Sequence, residues 1–422
     1  MTTSIIKNKN LIVKNEETVN GRIYTIKNKL NGHDVKLGDV FKYLPYGIID
    51  KSETGIGGTS LELDAKRFSI IVQPYVLTAA GKAHKPSIIN QFEILFYGKN
   101  PYLKGKKNTI KKSLIDIEGT LFNNEADRKL SEYRDRSIKA KKPVKITCVT
   151  DQLASLKKAL NEYKENFFDQ FHLVLDEIDC LQEHSNFRRV MESCIDIYIN
   201  HPLEKRTLIS ATIKHFSDPK LKKELFTTIA YKDSIKKEIT FIQPIKLIEE
   251  TYEQIKNLSV SKNEKIVIAC NNVEYCLKLS ETLSKEPTLQ TKTIKILCSI
   301  ASENKVKNYF DVIKEDGNLP GDINFITSAY FNGLDINEAY HNLIIADGLK
   351  NTLRLSASVI YHNRPLRKIV RCHGELVEPF ALPAQILRQA QDDPPSFDIK
   401  YYFPKRSNGL ITNKKECYPK QR

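Results

Sequence analysis

Val174-Leu175-Asp176-Glu177-Ile178-Asp179 and, further on, Leu208-Ile209-Ser210-Ala211-Thr212 decide the fold. The first is an apolar run that ends in two adjacent carboxylates, with a third two residues later. A buried strand that stops there delivers Asp176 and Glu177 to the crevice at its carboxyl end, where open α/β sheets bind ligands. One carboxylate can hold a magnesium ion and its neighbour can orient an attacking water, and nucleotide hydrolysis needs both. The second run is another apolar strand, ending in small hydroxyl residues, that can lie beside the first.

Working outward, the same alternation recurs. Tyr46-Gly47-Ile48-Ile49-Asp50 is a short strand that runs into a glycine-rich loop, Glu53 to Ser60, with a helix from Thr59. Phe68–Gln73 is a strand stopped by Pro74. Val144–Thr150 is a third, followed by a helix from Gln152 that carries Leu153, Leu156, Leu160 and Tyr163 at helical spacing. Repeated strand–helix alternation predicts a parallel, doubly wound sheet. A second series follows: strands at 265–271, 293–298, 323–328 and 343–347, with a helix whose apolar positions are Val273, Leu277, Leu279 and Leu283. The predicted organisation is a leader over residues 1–40 with one or two strands, signalled by the alternation Arg22-Ile23-Tyr24-Thr25-Ile26, and a first lobe over 41–235 with a basic insertion at 97–142. A second lobe over 236–368 and an irregular tail over 369–422 complete it.

Asp176 to Asp179 followed by Ser210-Ala211-Thr212 resembles motifs II and III of superfamily 2 helicases, the DEAD/DEAH-like group. Thr54-Gly55-Ile56-Gly57-Gly58-Thr59 matches the phosphate loop of that group, T-G-x-G-K-T, except that Gly58 stands at the lysine position. The strand before Pro74 resembles motif Ia, and Thr327 with Gly333 and Asp335 resembles motif V. The likeness spans about residues 45–350. It implies an α/β fold of two RecA-like lobes, parallel sheets flanked by helices, with ATP and Mg2+ bound between them. It further implies that the loop from Thr54 to Thr59 holds phosphates, that Thr59 and Asp176 hold the metal, and that Glu177 orients water. Ser210, Ala211, Thr212, Gly333 and Asp335 would couple nucleotide to lobe movement, and Thr327 would meet nucleic acid. Arg364 and Arg367 stand where arginine fingers are expected, although the Gln and Gly of that motif are missing and Pro365 would interrupt a helix there.

The missing lysine leaves two readings open. Lys51, seven residues before Gly58, can reach back into the site and supply the lost charge, as an early lysine does in packaging ATPases of viral terminases. Alternatively the fold is a decayed helicase that binds nucleic acid or acts as a scaffold without catalysis. The retained pair Asp176 and Glu177 favours the first, because a dead site has no need of two close carboxylates. A terminase-type motor would need clustered carboxylates after the second lobe, and the tail offers only Asp392, Asp393 and Asp398.

The 422 residues carry 66 Lys and Arg against 51 Asp and Glu, a net charge of +15 that suits a polyanionic partner. Nucleic acid is the first candidate, DNA ahead of RNA; a lysine-rich composition from an AT-rich genome would give the same charge. The segment from Tyr97 to Lys142 is the most basic and reads as a solvated loop or a nucleic-acid contact. Eight cysteines form no CxxC pair, which argues against a zinc site or a disulfide framework. Neither a signal peptide nor a membrane span of about 20 apolar residues is present, so a soluble, cytoplasmic protein is expected. Residues 371–393 lose lysine and gain Pro, Gln and Ala abruptly; they look like a translated DNA repeat, consistent with a phage or mobile-element source.

Overall fold

Leu173, Val174 and Leu175 are buried on both sheet faces, and that placement follows from where their strand lies. The computed structural model describes residues 5–52, 55–84, 86–98, 125–180, 189–233 except 212, 214, 215 and 217, and then 238–242, 247–261, 265–299, 302–313, 318–330, 341–347, 366–373 and 398–402. It divides into two units, Met1–Asp233 and Ser234–Arg422.

In the first unit the strands of the large sheet are β1 (Ile12–Thr18), β2 (Gly21–Ile26), β3 (Gly47–Asp50), β4 (Ser69–Gln73), β5 (Leu95–Tyr97), β6 (Lys145–Val149), β7 (His172–Asp176), β8 (Arg206–Ser210) and β9 (Phe226–Tyr231). They form one sheet in the order β1-β2-β9-β3-β8-β7-β4-β6-β5. Only β1 and β2 pair antiparallel; the other neighbours run parallel. Central parallel strands are covered on both sides, which is why they read as unbroken apolar runs rather than as alternation. On one face Ile48, Ile70, Val72, Leu173, Leu175 and Leu208 pack with Leu153, Leu156 and Leu160. On the other Ile49, Ile71, Val174 and Ile209 pack with Val35, Leu37, Val40 and Phe41.

The flanking helices are α1 (Gly58–Asp64), α2 (Val76–His84), α3 (Glu125–Lys139), α4 (Leu153–Tyr163) and α5 (Arg189–Ile199). Helix α4 buries the three leucines that its spacing predicted, while Tyr163 is exposed and stacks edge-on with Phe167. Two expectations need amending. Residues 12–26, expected to lie in a leader with one or two strands set before the first lobe, form two strands that belong to the lobe's own sheet through the pairing of β2 with β9. The last third of the basic segment is not loop but helix α3, which buries Leu130, Tyr133, Arg134 and Ser137; residues 99–124 lie outside the described residues.

The second unit has its own parallel sheet. Its strands are β10 (Glu238–Ile242), β11 (Lys265–Ala269), β12 (Ile294–Leu297), β13 (Ile323–Ile326), β14 (His341–Asp347), β15 (Leu366–His373) and β16 (Asp398–Tyr402), in the order β12-β13-β11-β14-β15-β10-β16. Helices α6 (Leu247–Ser261) and α7 (Val273–Leu283) accompany it. Along α7 the buried positions are Cys276, Leu279, Ser280 and Leu283, with Val273 and Leu277 partly buried. Strand β15 crosses the predicted boundary at 368/369: Arg371, Cys372 and His373, taken as the start of a translated repeat, pair with β10 and β14. Residues 374–397 lie outside the described residues. Cys148, Cys180, Cys194, Cys270, Cys276 and Cys298 are buried free thiols. No described helix is long and apolar enough to cross a membrane.

Candidate functional site

Four strands of the first sheet finish on one edge, and their last residues are the polar ones. Asp50 pairs with Ser210, and Asp176 with Ile209, so β3, β8 and β7 stop nearly level; β4 ends beside β7 at Gln73. The Lys51 amide donates to the Ser210 carbonyl at 2.9 Å, which carries the ladder one residue past β3 and fixes where the lysine side chain begins. Its Nζ then donates to Glu177 Oε1 at 3.1 Å and lies 3.7 Å from Asp176 Oδ1. All three side chains are almost wholly buried.

The phosphate-loop residues come to the same edge. Gly55 (φ +68°) and Gly57 (φ +89°) hold left-handed conformations that favour glycine, and Gly57 leads straight into α1. In the first turn of that helix, the Thr59 hydroxyl donates to Asp176 Oδ2 at 2.5 Å. Glu177 itself has φ +54°, a left-handed conformation that is strained for a glutamate by about 1–2 kcal/mol. The turn brings its carboxylate back over the strand ends. Ser210 Oγ lies 2.6 Å from Asp179 Oδ1 and 3.3 Å from Glu177 Oε2, donating to one at a time. Thr59, Lys51, Asp176, Glu177 and Ser210, drawn from distant parts of the chain, therefore share one cluster.

The cluster sets its own protonation. Burial alone would lower the Lys51 ammonium, but the Glu177 and Asp176 carboxylates outweigh it and hold the lysine above its ordinary value. Burial works against the Asp176 anion too, yet Lys51 and the hydrogen bonds from Thr59 and Gln73 keep its carboxyl below the usual range. Glu177 goes the other way: burial, reinforced by the Asp176 charge, raises its carboxyl despite Lys51. Two neighbouring carboxylates pushed apart in this manner suit different tasks, an anion that stays charged and a base that can exchange a proton.

Magnesium prefers hard oxygen ligands. Thr59 Oγ1 and Asp176 Oδ2 already converge, and next to them Gln73 donates its amide to Asp176 Oδ2 at 3.2 Å while its own Oε1 is buried without a hydrogen-bond partner. This set fits a hydrated divalent cation: Thr59 and Asp176 as ligands, Gln73 Oε1 as acceptor for a metal-bound water.

A side chain at position 58 would meet the core. Helix α1 lies so close to β8 that a Cβ on Gly58 would sit 2.7 Å from Ile209 Cδ1 and 3.9 Å from Leu37 Cδ1. Gly58→Lys is therefore expected to displace Ile209 and cost about 1–3 kcal/mol, read as a lower denaturation midpoint, rather than to rebuild the family's loop.

Gln73, Asp179 and Lys36 belong to this neighbourhood although sequence reasoning gave none of them a role. Gln73 could have been found as the last residue of a strand stopped by proline, and Asp179 from its place in the acidic tetrapeptide. Nothing in the sequence marks Lys36, whose Nζ donates to the Gly55 carbonyl at 2.7 Å.

Other predicted residues are not gathered here. Ala211 is a half-buried bend after β8. Thr54, Thr212, Gly333, Asp335 and Arg364 lie outside the described residues. Thr327 follows β13 in the second unit; it is buried, and its hydroxyl donates to the Leu297 carbonyl at 3.4 Å rather than facing outward. Arg367 is the second residue of β15, so its backbone is in a strand.

No protein-family profile matches the chain, and no curated relative does. Solved structures do. The DEAD-box helicase Mss116 bound to ssRNA and UDP-BeF superposes with a TM-score of 0.54 at 14% identity, covering 86% of this chain and 72% of that one. Mss116p bound to ssRNA and AMP-PNP gives 0.53 at 15% identity, over 86% and 72%. Dbp5 of S. cerevisiae bound to RNA and ADP BeF3 gives 0.51 at 13% identity, over 85% and 86%. At such identities the likeness speaks of architecture: the chain has the α/β fold of two RecA-like lobes, parallel sheets flanked by helices, found in DEAD-box helicases.

Proposed function

We propose that the chain is a helicase-like, nucleic-acid-dependent ATPase in which Lys51 supplies the charge that the phosphate loop lacks at Gly58. One observation carries this reading: the Lys51 ammonium lies within 4 Å of both carboxylates that would handle metal and water, at 3.1 and 3.7 Å. In it the glycine loop and Thr59 hold the phosphates, Thr59 and Asp176 hold Mg2+, and Glu177 orients and deprotonates the attacking water. Ser210, bridging Glu177 and Asp179, relays changes at Glu177 to β8. A bound Mg2+ would neutralise phosphate charge as the terminal phosphoryl group is transferred to water. Lys51 must leave Glu177 to meet a phosphate, which frees that carboxylate to act as base.

The three solved structures described above are bound to RNA, nothing supports the expected preference for DNA, and we propose single-stranded RNA as the first partner to try. The deciding measurement is ATP turnover by the full chain alone, with single-stranded RNA and with single-stranded DNA, across a salt series. Turnover stimulated by one of them and fading with salt is expected, because contacts to a phosphate backbone release counterions. The competing reading, a decayed scaffold, predicts nucleic-acid binding with no turnover in any arm.

A further inference from the structure

The first sheet has a second pocket at its opposite edge. It is a cavity of about 600 Å³ bordered by Lys66, Arg67, Phe68, Phe92, Lys141 and Lys142, with Asn90, Ile138 and Pro143 completing the wall. Phe68 directly precedes β4 and Pro143 lies just ahead of β6, so the cavity opens where strands begin, whereas Asp176 and Ser210 stand where they end. Five residues of strand, roughly 15 Å, separate the two edges.

Its chemistry is one-sided. Four of the lining residues are cations and none is an acid. Arg67 is already engaged, its guanidinium donating to both oxygens of buried Glu62 at 2.8 and 2.6 Å. Lys66, Lys141 and Lys142 are exposed and make no ion pair among the described residues. The backbone of the last two is fixed by the end of a helix. Helix α3 ends with the Lys141 amide donating to Ile138 and the Lys142 amide donating to Ser137, both at 2.9 Å. This is the paired closure that usually puts glycine where Lys141 stands at φ +54°. A lysine there accepts backbone strain and adds like charge beside Lys142. Behind the wall, buried Lys145 donates to the Glu62 carbonyl and to Ser69 Oγ, with Phe92 over its ammonium at 5.9 Å. Burial pushes that lysine down to about 8, so a bound anion would also favour its charged form.

Volume and wall narrow the ligand. The cavity falls in the range of about 300–1,000 Å³ typical of small-molecule sites and far exceeds a bare phosphate ion. Phe68, Phe92, Ile138 and Pro143 offer an apolar surface on which a flat ring can lie, and the lysines meet an anion at its rim. We propose that this cavity binds a phosphorylated nucleoside, free or at the 5′ end of a strand, at a site separate from the Lys51 cluster.

Equilibrium dialysis of the full chain with radiolabelled AMP tests the idea. The variants are a triple Lys66→Ala, Lys141→Ala, Lys142→Ala, the same triple to Arg, and Thr59→Ala, with circular dichroism to verify folding. The alanine triple should weaken AMP binding by about tenfold or more, since it removes charge-assisted hydrogen bonds. The arginine triple should restore binding, and Thr59→Ala should leave this binding in place. A 5′-phosphorylated trinucleotide that binds more tightly than AMP assigns a strand end; weaker binding assigns a free nucleotide. Equal AMP binding by wild type and the alanine triple overturns the proposal. So does inorganic phosphate binding as well as AMP, or loss of all AMP binding in Thr59→Ala.

Discussion

Lys51→Met is expected to lower ATP turnover by about 10²–10³-fold and, at neutral pH, to destabilise the first unit by about 3–5 kcal/mol. Both effects come from one ammonium. In the resting site it is the cation that compensates Glu177 at 3.1 Å and Asp176 at 3.7 Å, with Asp179 tied to the same group through Ser210. Methionine keeps the length of the side chain and removes its charge, leaving carboxylates that burial already disfavours. The deficit should depend on pH. Glu177 is raised even with Lys51 present, and without the lysine its carboxyl rises further. A carboxyl whose folded value lies above its unfolded one contributes stability that is full below the unfolded value and is lost as pH rises through the folded value. The variant should therefore approach wild type toward acid and fall away as pH increases past the ordinary glutamate range. In wild type the signs at the neighbours differ. Lys51 is raised, so its contribution is full below 10.5 and is lost at more alkaline pH. Asp176 is lowered, so its contribution is present above 3.8 and disappears as pH falls through its folded value. Urea midpoints of both proteins across pH measure all of this. A variant as stable and as active as wild type would remove Lys51 from the proposed chemistry.

The residues that were legible and those that were not differ in one physical respect. Strands β3, β4, β6, β7 and β8 could be read because central parallel strands are apolar along their whole length, and the carboxylates that end β7 break that run abruptly. The edge strand β1 could be read only as one of one or two strands in a leader, since Ile12 alone is partly buried and the other six positions are exposed, so no apolar face ties it to the first sheet. Helix α3 hid for a related reason: two of its four buried residues are Arg134 and Ser137, which erase the apolar stripe. Lys51 was named only as a possibility because its reach depends on which strand lies next to β3. Pairing of Asp50 with Ser210 sets that distance, and it is a contact between residues remote in sequence. That a side chain at position 58 would press on Ile209 likewise depends on a contact between residues remote in sequence. Local pattern thus revealed which residues end strands, while the register between strands determined which of those ends meet.

Glu177→Gln should separate binding from chemistry. The amide keeps the size of the side chain, the left-handed turn at φ +54° and a partner for Ser210, but it cannot accept a proton from water. ATP affinity is expected to stay within about threefold of wild type, with turnover lower by about 10²–10⁴-fold. Stability should fall far less than in Lys51→Met, because the substitution removes a charge that burial and Asp176 both oppose and leaves Lys51 with Asp176 as its counterion. A base works only when deprotonated, so wild-type turnover should climb with pH through a limb displaced above the ordinary glutamate value of 4.5 and then level off. The residual turnover of Glu177→Gln should lack that limb. Nucleotide binding by a fluorescent ATP analogue, set against kcat measured from acid to neutral pH, distinguishes the outcomes. If the variant retains turnover with an unchanged limb, the base lies elsewhere. If it loses nucleotide binding together with turnover, Glu177 is part of the binding site's scaffold and the raised carboxyl has no catalytic meaning.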